Sequence, residues 1–153
     1  MKEVALVLLI WISTVCFAVG QTERLQKDIS AISNKQLVGQ PQGILWKVAL
    51  ISQAGDKIIQ QAVQLPLSAE RDNITKRLVT LLTDTTKGIA VHFILCEIWK
   101  KQVPYGSKSR SDTPGLIECT YGDLIFYQAE GRTFANTEDL LINQKKWRDF
   151  LLK

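Results

Sequence analysis

Residues 89–99 read Ile89-Ala90-Val91-His92-Phe93-Ile94-Leu95-Cys96-Glu97-Ile98-Trp99, a long and almost wholly apolar run. A run of this length fits either a helix or a strand, and the fold turns on which it is. Its β-branched and aromatic residues favour a central strand buried on both faces. On such a strand His92, Ile94, Cys96 and Ile98 share a face, because side chains alternate. Lys100-Lys101 ends the run.

Upstream of it, Ile44 to Ser52 is dense in strand formers, Ala54-Gly55-Asp56 is a turn signal, and Lys57 to Leu65 is again apolar. The pair predicts a β-hairpin, closed by Pro66. Ser68 is placed to cap the next helix, with Glu70 and Asp72 in its first turn. Ile74, Leu78, Leu81 and Leu82 then form an apolar stripe that runs toward Gly88 as a stop. Nearer the N-terminus, Leu25, Ile29 and Ile32 make one helical stripe within Gln21 to Val38, and Gly39-Gln40-Pro41-Gln42-Gly43 breaks it.

Downstream, Pro104 to Gly115 is the most polar stretch and predicts an exposed loop. Leu116 to Tyr121 and Leu124 to Ala129 predict two short strands split by Gly122-Asp123, or one strand with a bulge. Thr137 is placed to cap a last helix, with Glu138 and Asp139 early and Lys145, Lys146 and Arg148 late, an order that complements the helix dipole. Leu140, Trp147 and Leu151 share one face of it. The order is α-ββ-α-ββ(β)-α. It predicts an α+β fold, a single two-layer domain with helices on an antiparallel sheet of about four to five strands.

The first twenty residues speak to address. Lys2 precedes an apolar run from Val4 to Val19, and Ala18-Val19-Gly20 offers small residues where a signal peptidase reads. The run is shorter than the roughly 20 residues a spanning helix needs. The expected organisation is a signal peptide at 1–20, an N-terminal helix or arm at 21–43 and the α+β domain at 44–153. The expected location is secreted or periplasmic. If the segment stays uncleaved, the chain is a membrane-tethered accessory subunit, and this is its only expected membrane contact.

The chain carries Cys16, Cys96 and Cys119, and cleavage removes the first. In an oxidising compartment the remaining pair predicts a Cys96–Cys119 disulfide, with a chain-entropy contribution of about 3 kcal/mol. The net charge of +4 favours an acidic partner only modestly and is no strong nucleic-acid signal.

His92 is the only histidine, so any Ser-His-Asp or Cys-His catalyst must use it. The competing expectation is a hydrogen-bonded core histidine beside a disulfide-bonded Cys96. Glu97, Glu118 and Asp123 are candidate paired carboxylates for a hydrolase. The spacing of His92, Cys96 and Cys119 matches no zinc pattern. There is no P-loop and no G-x-G-x-x-G, and no cofactor is expected. Trp99, Lys100, Lys101, Tyr105, Lys108 and Arg110 form a basic-aromatic set suited to a protein or acidic ligand. Asn73-Ile74-Thr75 is a glycosylation sequon that matters only in a eukaryotic secretory pathway. These features favour a small exported binding module without a catalytic set, with a small secreted hydrolase as the alternative.

Overall fold

The computed structural model describes residues 22–42, 45–64, 69–103 and 106–152. The expected signal segment, the Ser68 cap and Tyr105 lie outside the described residues. Within them the fold is α+β, with five helices and two antiparallel sheets rather than one. Helix α1 covers 22–30. Strands β1 (Leu37–Gln42) and β2 (Leu45–Leu50) pair with each other, Leu37 opposite Leu50. Three helices follow: α2 (Gln53–Gln64), α3 (Ala69–Thr80) and α4 (Gly88–Ile98). Strands β3 (Ser107–Thr113), β4 (Leu116–Tyr121), β5 (Leu124–Ala129) and β6 (Arg132–Phe134) form a meander in that order. Helix α5 (Thr137–Leu151) closes the chain. No helix of the described residues is long and apolar enough to cross a membrane.

The decisive run 89–99 is a helix, not a strand. Every residue of α4 but Glu97 is buried. A helix that is apolar all round is a core helix, and it shows no 3.6-residue period because it has no solvent face. Phe93 stacks on Tyr121 of β4 at 3.8 Å and meets Phe126 of β5 edge-on. Ile94 points at Gly55 of α2. The helix thus packs against the β4–β5 strands through Phe93 and against α2 through the adjacent Ile94.

Its ends are held by other parts of the chain. Lys87, the N-cap, makes no side-chain cap bond. Instead the buried Asn34 reaches over from the turn after α1. Its Oδ1 accepts from Ala90 N at 3.0 Å, and its Nδ2 donates to Thr85 O at 2.9 Å. One of the helix's orphan amides is thereby satisfied in trans. Gly88 is needed at the start: a Cβ there would stand 2.3 Å from the Leu82 carbonyl oxygen. At the C-terminal end Arg71 of α3 donates to Ile98 O and lies 3.9 Å from the Trp99 ring centre. A cation suits this negative end of the helix.

The expected hairpin of Ile44–Ser52 with Lys57–Leu65 is also replaced. Residues 45–50 are a strand, but they pair backward with β1, and 53–64 is a helix. Ser52 caps it, its Oγ accepting from Gly55 N at 3.0 Å. The expected first helix correspondingly ends at residue 30 instead of running to Val38. The expected loop at 104–115 contains β3, joined to β4 by Thr113 opposite Leu116. It forms although its side chains are polar and exposed, because a strand at a sheet edge needs only its backbone ladder. The strands 116–121 and 124–129 form as expected, split by Gly122-Asp123. The last helix starts at Thr137 with Asn136 as N-cap, so Thr137 is its first residue and not its cap.

A candidate ligand-binding cleft

A cleft of about 200 Å³ opens between α4, the β4–β5 turn and α5. Helix α4 contributes His92 and Cys96, one turn apart. The turn contributes Gly122 and Asp123. Helix α5 contributes Asn143, Lys146, Trp147 and Phe150, which recur at three- and four-residue steps along one face. Val103 closes a side. Gly122 takes φ +57°, and its backbone passes so close that an added Cβ would lie 3.4 Å from His92 Nε2. The turn needs glycine for that backbone angle.

His92 is fixed by both ring nitrogens. Trp147 Nε1 donates to its Nδ1 at 3.1 Å, and its Nε2 lies 2.8 Å from Tyr121 O. An indole N–H only donates and a carbonyl only accepts, so the ring is the neutral Nε2–H tautomer. Burial drives its pKa down to about 4, against the opposing pull of the Tyr121 carbonyl and the Asp123 charge. His92 is therefore neutral at pH 7 and structurally committed.

Cys96 Sγ sits 3.5 Å from His92 Nε2, the nitrogen that carries the proton. Burial, then Glu97 and Asp123, pushes the thiol up to about 12. A Cys-His nucleophile needs a thiolate and a basic nitrogen lone pair. This pair has neither. The expected disulfide is not formed: Cys96 and Cys119 are both free and buried. Cys96 faces the cleft from α4. Cys119 is on β4, opposite Phe126 of β5, with its thiol raised to about 11 by burial.

The candidate carboxylates each have a cation of their own. Glu97 pairs with Lys100 at 3.6 Å, Glu118 with Arg110 at 2.9 Å and Asp123 with Lys146 at 3.2 Å. No group of three metal-ligating side chains gathers among the described residues.

The basic-aromatic set does not come together as one loop. Trp99 is buried, donates to Thr75 Oγ1 at 3.1 Å and belongs to the core. Lys100 and Lys101 follow α4, whereas Lys108 and Arg110 are on β3. Arg110 is further neutralised by Asp112 at 3.4 Å. Lys101 and Lys108 remain exposed. Asn73 is exposed on α3.

The residue that the sequence reading missed is Asn143. It is 2% exposed, lines the cleft, and its Nδ2 has no hydrogen-bond partner. Its neighbour Gln144 is also buried, yet donates to Val79 O at 2.9 Å. The available signal was position: Asn143 lies between Leu140 and Trp147, on the apolar face of α5.

Comparison with protein-family models, with curated proteins and with solved structures finds no match to this chain.

Proposed function

We propose that this chain is a small exported binding module and that its site is the cleft between α4 and α5. The observation that carries the reading is the unpartnered Asn143 amide. Leaving a buried donor unpaired costs about 1–3 kcal/mol, and native cores rarely keep such groups. A group of this kind in a cleft wall is accounted for when a ligand supplies the acceptor. The neutral His92 and the protonated Cys96 suit a wall better than a catalyst. Lys101 and Lys108 are the exposed remainder of the basic set that an acidic partner would use.

Fragment-sized compounds titrated against the isotopically labelled protein test this. Binding in the cleft moves the Asn143 side-chain amide and the Trp147 indole N–H resonances together. Compounds that bind while leaving both unmoved place the site elsewhere. Export is tested separately, by the mass of the protein recovered from expressing cells. Loss of residues 1–20 supports it, and retention of Cys16 favours the tethered alternative.

A further inference from the structure

We infer that the cleft takes a neutral, single-ring molecule bearing one hydrogen-bond acceptor, such as a ring ketone or amide. The inference rests on the reading of the cleft as a binding site and specifies its ligand.

Three observations set the class. The first is size. A dry cavity of about 150 Å³ holds benzene, so about 200 Å³ holds one ring with a short substituent. The second is charge. His92 is neutral, Cys96 is protonated, and the rim residues Asp123 and Lys146 neutralise each other at 3.2 Å. The cleft offers no net charge, and a charged ligand would shed its hydration without compensation. The third is polarity. Val103, Trp147 and Phe150 supply apolar wall, and His92 spends both nitrogens on Trp147 and Tyr121. Two buried donors among the described residues lack a partner, Arg71 Nε and Asn143 Nδ2, and of the two only Asn143 lines the cleft. It asks for an acceptor on an otherwise apolar body.

The test compares acetophenone with toluene, phenol, benzoate and benzylammonium, on the wild-type chain and on Asn143→Leu. Affinities are read from the Trp147 indole resonance, and in the wild type also from the Asn143 amide. Acetophenone is expected to bind about tenfold tighter than toluene, the worth of one neutral hydrogen bond. In Asn143→Leu that ratio falls to about one while toluene still binds. Benzoate and benzylammonium are expected at least tenfold weaker than acetophenone.

If benzoate or benzylammonium binds tightest, or if phenol does because the site reads its O–H donor, the cleft is a site but the ligand class is wrong. If the acetophenone-to-toluene ratio is unchanged in Asn143→Leu, Asn143 is not the recognising donor and the inference falls. If no probe moves the Trp147 resonance, the cleft holds only solvent, and the binding-site reading falls with it. Asn143→Gln serves if Asn143→Leu does not fold. It keeps the donor but displaces it by one methylene, and it should cut the same ratio to below threefold.

Discussion

Replacing Asn34 with alanine removes the side chain by which the turn after α1 holds the first turn of α4. Asn34 lies in the turn after α1, far in sequence from the α4 turn that it holds. Its Oδ1 accepts from Ala90 N, and its Nδ2 donates to Thr85 O. Thr85 is exposed, so its carbonyl turns to water when the amide is removed. Ala90 is fully buried, so its N–H has no such recourse. An orphaned buried donor costs about 1–3 kcal/mol and the lost second bond about 1 kcal/mol. Asn34→Ala should therefore destabilise the protein by about 2–4 kcal/mol. Urea unfolding followed by circular dichroism measures it, as a lower midpoint at unchanged slope. Ser30→Ala is the control, since the Ser30 hydroxyl donates an exposed bond to Gln26 O and its loss should cost under about 0.5 kcal/mol. If Asn34→Ala costs no more than Ser30→Ala, the N-terminal segment does not cap α4 and the reasoning about this helix is wrong.

His92 makes stability depend on pH. Its folded pKa is lowered from 6.5 to about 4, so the unfolded chain binds the extra proton between those values. The contribution is fully present above pH 6.5 and is lost as pH falls toward 4, by about 3 kcal/mol. A urea midpoint that stays flat across that window would contradict the buried, neutral ring. Cys96 and Cys119 should resist alkylation at pH 8 in the native protein, because burial holds both thiols far above their ordinary value. Both should label after denaturation without reductant, and a mass showing them joined would overturn the free-thiol geometry. Gly88→Ala should cost about 3 kcal/mol, because the new methyl is driven onto the Leu82 carbonyl and the neighbour is backbone. A midpoint within about 0.5 kcal/mol of wild type would show that α4 does not approach that turn so closely.

The parts of the fold that sequence made legible are those with a wet face. α3 and α5 carry apolar stripes beside charged ones, although α3 ends at Thr80 and Gly88 opens α4 instead of closing α3, and β4 and β5 are bounded by Gly122-Asp123. α4 hid its type because burial on all sides erases periodicity. Its length fitted either element, and its β-branched and aromatic composition tipped the reading to a strand, although strands usually run only about 5–6 residues. α2 was masked by Gly55, which reads as a turn residue. In the first turn of the helix a larger residue would be crowded, since a Cβ there falls 3.2–3.4 Å from the side chains of Leu50, Ser52 and Ile94. β3 was masked by polarity, which an edge strand tolerates. His92 was legible as a hydrogen-bonded core residue. Its partners were not, because Trp147 and Tyr121 reach it from other elements. Asn143 is visible only once burial is known, since an asparagine on a helix carries no mark of whether its amide is paired.

The central claim is that Asn143 is retained for a ligand at the expense of the ligand-free fold. Its most direct test is the stability of Asn143→Leu without ligand, by urea unfolding beside wild type. Leucine matches the asparagine's shape and removes the unpaired buried donor. The account predicts a variant at least as stable as wild type, gaining about 1–2 kcal/mol, that has lost its preference for acceptor-bearing probes. A loss of more than about 1 kcal/mol would show that the amide holds the core together, and would contradict the claim.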